Sequence, residues 1–197
     1  MASKLFVMIL QHPQEPGHEL GSANLAAETL GEANCKIRVG LSWRNLSAAL
    51  GTPETTSIPK QWGVVYLGSG IKRPDGPGRP AQPLTWVDKK GAPLSASASK
   101  EIPGDLRGLI FLDGTWSQAK TLWWRNAWLL KCRRAILTPT TPSLYGKQRK
   151  EPRPECVSTL ESIAITLDAI SGDKTTADQL INAFKAKLSE KKSNRGA

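Results

Sequence analysis

Leu109-Ile-Phe-Leu-Asp-Gly-Thr-Trp116 is the stretch whose reading decides how this chain folds. Four apolar residues run into an acid, a glycine, a hydroxyl and an indole. The apolar run is short and entered through Gly108, which predicts a buried strand over residues 109–112. Gly114 permits a tight bend, and Thr115 or Asp113 can cap a helix starting near Trp116. Trp116, Ala119, Trp123 and Ala127 then recur at helical spacing and share one face. Asp113 lies at the carboxyl end of the strand, where open α/β sheets bind their ligands. Two readings stay open from this stretch alone: Asp113 as a cap with core tryptophans, or Asp113 and Trp116 as parts of a site.

Outward from it, short apolar runs predict strands over 5–10, 35–39, 64–67, 84–87 and 135–137. Helices are expected over 23–33 behind a Ser22 cap, briefly over 43–50, over 158–170 behind Ser158, and over 176–188. Residues 11–21, 51–60, 71–83, 89–100 and 138–154 read as loops, most of them rich in Pro and Gly. Strands alternating with helices indicate a single α/β domain over residues 1–188, a largely parallel sheet with helices on both faces. A basic, flexible tail is expected over 189–197.

The formal charge is +10, from 27 Lys+Arg against 17 Asp+Glu, which favours a polyanionic partner. Lys147, Arg149, Lys150 and Arg153 share one proline-stiffened loop with Tyr145, the pattern of phosphate contacts beside a stacking ring. Cys35, Cys132 and Cys156 are far apart and form no Cys-x-x-Cys pair. Neither a zinc site nor a disulfide framework is indicated, and reduced thiols in a cytosol fit best. Residues 4–10 are too short for a signal peptide's apolar core, and no run approaches membrane length. Gly68-Ser69-Gly70 is followed by Ile-Lys-Arg-Pro and not by a helix, so a dinucleotide fingerprint is disfavoured.

Four short motifs stand in order along most of the chain. They are Gln11-His-Pro-Gln-Glu15, Asp113-Gly-Thr-Trp116, the segment from Tyr145 to Arg149-Lys-Glu-Pro152, and Ser158-Thr-Leu-Glu161. As an ordered set they resemble the DTW-domain family. The resemblance implies a tRNA-uridine aminocarboxypropyltransferase that uses S-adenosylmethionine and is related to the SPOUT methyltransferases. It also implies a SPOUT-like fold with a C-terminal trefoil knot. Many family members carry an N-terminal cysteine cluster that is absent from this sequence, a departure that bears on substrate choice.

That chemistry asks for specific groups. An aminocarboxypropyl transferase must cover the methyl of the sulfonium and present the amino-acid arm; Trp116 beside Ala119 is the expected wall. The acceptor N3 of uridine is protonated at neutral pH, so a carboxylate within hydrogen-bond reach must take its proton. Asp113 is the expected base, ahead of Glu161 and Glu15. Ser158 and Glu161 also have the Ser-x-x-Glu form of a capping box. Ser22, at a helix start, offers a hydroxyl and backbone N–H groups to a carboxylate. The remaining cofactor contacts are expected at Leu67, Gly68, Ser69, Leu112, Gly114, Thr115, Leu137, Thr138, Ser158 and Thr159. RNA contacts are expected at Gln11, His12, Arg79, Tyr145, Lys147, Arg149, Lys150 and Arg153. Within the same fold an RNA methyltransferase is the competing enzyme, and a non-catalytic RNA-binding protein is the competing class.

Overall fold

The structure is a computed structural model that describes residues 5–17, 21–53, 57–66, 83–146 and 156–195, with side chains to residue 191. Its centre is a sheet of six strands: β1 (Phe6–Gln11), β2 (Cys35–Val39), β3 (Trp62–Tyr66), β4 (Leu84–Val87), β5 (Gly108–Asp113) and β6 (Arg133–Leu137). They lie in the order β2-β1-β5-β3-β6-β4. Neighbours are parallel except β4, which runs antiparallel to β6 at one edge. The helices are α1 (Ser22–Leu30), α2 (Leu46–Leu50), α3 (Ala96–Asp105), α4 (Trp116–Arg125), α5 (Thr159–Ser171) and α6 (Lys174–Arg195). This is the α/β class with a mostly parallel sheet that the alternation of strands and helices predicts.

Period-two side-chain alternation divides the core between the two faces of the sheet. Val7, Ile9, Leu109, Phe111 and Val65 face a layer built from α1, α5 and α6. Met8, Leu10, Ile110 and Val64 face Leu46, Ala49, Trp128 and Leu129 on the other side. The central strands are therefore apolar on both faces, which explains why they read as unbroken hydrophobic runs. Gly108 is required by close approach: a Cβ there would stand 2.5 Å from the Trp62 ring and 2.7 Å from the Phe6 carbonyl oxygen.

Three departures from the expected elements have physical causes. Part of the loop expected over 89–100 is the start of α3; Ser95 caps it by accepting the Ala98 N–H, and Ile102 is the one residue it buries. With a single apolar anchor, that helix carries no helical hydrophobic period to read. The tryptophan helix stops at Arg125, before Ala127. Asn126, fully buried, donates to the Leu122 and Leu41 carbonyls and accepts from the Trp43 N–H and the Trp128 indole, which ends the helical ladder. At the carboxyl end of the chain, α6 continues to Arg195, past the Leu188 where the apolar pattern stops.

Two thiols carry a pH dependence. Burial pushes Cys35 and Cys132 up to about 12. In the unfolded chain they ionise near their ordinary value, so between about pH 9 and 12 the folded state holds protons that the unfolded state has lost. Stability should therefore be full below that window and fall through it, by about 1.4 kcal/mol per pH unit for each thiol. Denaturant midpoints at pH 8 and pH 10.5 should show the fall, and a Cys35→Ala/Cys132→Ala variant should lose most of it. Equal slopes in variant and wild type would assign the alkaline loss to other groups.

Candidate active site

The carboxyl ends of β3, β5 and β6, with Glu15 from the loop after β1, open into one cleft of about 850 Å³. The amino ends of three helices border it: Gly21 and Ser22 of α1, Thr115 and Trp116 of α4, and Ser158 and Thr159 of α5. Each brings first-turn N–H groups that lack an intrahelical acceptor and the positive end of a helix dipole. Those of α4 and α5 are closed by capping boxes, Thr115 with Gln118 and Ser158 with Glu161. That of α1 has Gly21 at the cap position and no side-chain cap. The Ser22 hydroxyl, expected to cap α1, instead lies in its first turn and accepts the Leu160 N–H at 3.4 Å. Three helix ends around one cleft favour an anionic group there.

Asp113 lies at the centre of this arrangement. It ends β5, pairs in register with Gln11 of β1, and is 8 % exposed. The Gln11 amide donates to its Oδ2 at 2.9 Å, and the Thr159 hydroxyl donates to its Oδ1 at 2.5 Å. It does not cap α4; Thr115 does. An ionised carboxylate has about four lone-pair sites, so two remain for a group in the cleft. Gly114 lets the chain turn tightly after it, since a Cβ there would stand 2.9 Å from Cβ of Gln118.

The cleft is walled by apolar and aromatic groups. Val65, Phe111, Leu112 and Leu137 come from strand ends, and Trp116, Ala119 and Trp123 from α4. The Trp123 ring meets Tyr66 at 5.2 Å between centroids, and Lys120 Nζ lies 5.9 Å from the Trp116 ring centroid. Glu15 closes one side. It is 8 % exposed, and among the described residues nothing donates to its carboxylate. Opposite, Glu161 is buried beneath the start of α5. Its carboxylate accepts from the Ser158 N–H, the Ser143 hydroxyl and the Leu144 N–H, which ties the 143–145 loop to α5.

Of the residues expected to bind cofactor, Ser22, Leu112, Gly114, Thr115, Trp116, Ala119, Leu137, Ser158 and Thr159 all line this cleft with Asp113. Thr138 is not among its described lining; its N–H donates to the Pro83 carbonyl. Leu67, Gly68, Ser69, Arg79, Lys147, Arg149, Lys150 and Arg153 lie outside the described residues. Two of the expected RNA contacts are corrected. Gln11 is 3 % exposed with its amide committed to Asp113, so it orients that carboxylate. Tyr145 is 1 % exposed, its ring edge-on to Phe184 of α6 at 5.1 Å, so among the described residues it is a packed part of the cleft wall. His12 is half-buried and accepts the Gln14 N–H through Nδ1. Sequence reasoning did not place Tyr66, Lys120, Trp124 or Cys156 at the site, because nothing local distinguishes them from core or surface residues.

A model of the DTW domain matches residues 1–191. The chain belongs to the DTW-domain family. The DTW domain thus takes in all six strands, and the cleft lies inside it. Among similar proteins are those named tRNA-uridine aminocarboxypropyltransferase 2 in three animals. The Macaca fascicularis protein is 26 % identical over 178 residues, 90 % of this chain and 52 % of the relative. The Mus musculus protein is 24 % identical over 180 residues, 90 % of this chain and 52 % of the relative. The Drosophila melanogaster protein is 27 % identical over 164 residues, 80 % of this chain and 53 % of the relative. The DTW chain thus spans about half the length of these relatives. No solved structure matches it. Among the described residues, no helix of this DTW protein is long and apolar enough to cross a membrane. Nor do any of them form a cluster of three His, Cys, Asp or Glu able to hold a metal ion.

Proposed function

We propose that this chain transfers the 3-amino-3-carboxypropyl group of S-adenosylmethionine to N3 of a uridine in tRNA. The observation that carries the reading is a buried, doubly oriented carboxylate, Asp113, in a cleft bordered by three helix amino ends and walled by indole. The volume suits a nucleoside cofactor, and the donor set suits one that carries both an anion and a cation. The uncapped α1 amino end and the α5 amino end take the cofactor carboxylate. Glu15 takes the ammonium group, and its carboxylate, to which nothing among the described residues donates, is the matching acceptor. Trp116 and Ala119 cover the methyl, and the strand ends at Leu112 and Leu137 flank the adenosine. We assign the SPOUT-like topology and its knot from family kinship, and a cytoplasmic setting from the thiol content.

Bound S-adenosylmethionine supplies a sulfonium whose attached carbons are open to nucleophilic attack. Asp113 takes the N3 proton as the N–C bond forms, with methylthioadenosine as the leaving group. Gln11 and Thr159 hold Asp113 in place through that transfer. The test uses tRNA and cofactor labelled separately in the methyl or the carboxyl carbon. Carboxyl label alone should enter tRNA, with methylthioadenosine released in equal amount. Methyl label in tRNA, with S-adenosylhomocysteine released, would overturn the reading in favour of a methyltransferase. Neither label in tRNA would leave a binding protein.

A further inference from the structure

Helix α4 holds one aromatic side chain out of the protein. Trp124 is 79 % exposed, yet it lines the cleft. It stands four residues beyond Lys120 and eight beyond Trp116, so the three run along one side of the helix, and all three line the cleft. An indole left in water forgoes the gain of burying a large apolar surface, and this one stands at the cleft. The neighbourhood selects the partner. Ser117, Lys120 and Arg125 are exposed near Trp124 along the helix, and among the described residues of α4 no other large apolar side chain is exposed beside it. A ring with Lys120 and Arg125 exposed beside it, on a chain of net charge +10, matches an unstacked nucleobase with its flanking phosphates.

We propose that Trp124 is the stacking platform for an unpaired nucleobase adjacent to the target uridine, with Lys120 facing the intervening phosphate. This deepens the tRNA-modification reading and rests on it for the identity of the target.

The experiment measures binding of unmodified tRNA, and of an unstructured uridine-rich oligonucleotide, to wild type, Trp124→Ala, Trp124→Phe and Lys120→Gln across a salt series. Trp124→Ala should weaken both RNAs by about tenfold, within the range seen for loss of one stacked base. Trp124→Phe should recover most of that loss. Melting temperature should match wild type, because the ring is exposed. Lys120→Gln should instead flatten the slope of log affinity against log salt by about one unit, which Trp124→Ala should leave unchanged. RNA affinity of Trp124→Ala within twofold of wild type would overturn the platform and leave the ring for another partner. A loss that phenylalanine does not repair, or that brings a lower melting temperature, would overturn it too. These outcomes separate from the reaction itself: wild type that carries neither label into tRNA defeats the transferase, while the alanine–phenylalanine contrast in RNA affinity still decides the platform.

Discussion

Asp113→Asn is expected to bind S-adenosylmethionine as wild type does and to turn over at least about 100-fold more slowly, the scale for losing a general base. The fold should survive because the local hydrogen bonds can be rebuilt. An asparagine keeps one oxygen acceptor for the Gln11 amide at the Oδ2 position. Its NH2 group then faces the Thr159 hydroxyl, which can turn to accept where it now donates. What the amide cannot do is take the N3 proton of uridine. Single-turnover rates with saturating tRNA, beside a cofactor-binding isotherm and a melting curve, separate these contributions. Wild-type turnover would remove Asp113 from the chemistry. Lost cofactor affinity with retained chemistry would make it a ligand, and the proton acceptor would have to be sought at Glu15 on the other side of the cleft.

Glu161→Ala should lower stability by about 3 kcal/mol, because it strands one buried and two part-buried donors, and a buried one costs about 1–3 kcal/mol when unpaired. The donors are the Ser158 N–H, the Ser143 hydroxyl and the Leu144 N–H, and Glu161 itself is 4 % exposed. In a domain of this size, that corresponds to a fall of roughly 6–12 °C in melting temperature. Ser158→Ala, which removes only the hydroxyl half of the capping box, should cost about 1 kcal/mol. Glu161→Gln should fall between the two, since one amide oxygen can serve only part of the donor set. The loss should also reach the site: the 143–145 loop carries Tyr145 into the cleft wall, and the same carboxylate fixes the helix end that presents Thr159 to Asp113. Cofactor affinity in Glu161→Ala should drop even at temperatures where the protein is fully folded. A melting temperature within about 2 °C of wild type would mean that water takes over the three donors and that the clamp contributes little.

What the sequence by itself determined is what near neighbours along the chain decide. The apolar run before Asp113 specified a buried strand, Thr115 and Ser158 specified helix starts, and the alternation of strands with helices specified a mostly parallel sheet. Those signals act over a few residues, through side-chain period and capping. The ordered motifs added the family, and most of the residues expected to bind cofactor line one cleft. What only the tertiary structure decided lies between residues far apart in sequence. Gln11 reads as a loop polar residue, yet the register of β1 on β5 places its amide on Asp113, 102 positions away. Tyr145 reads as an exposed ring among cations, but packing against α6 buries it. Asn126 ends the tryptophan helix because Leu41 and Trp43 claim its amide across 85 and 83 positions. Hydrogen bonds and close packing depend on distance in space, and in a parallel sheet each strand meets its neighbour only after a crossover, so the partners that shape this site leave no local pattern to read.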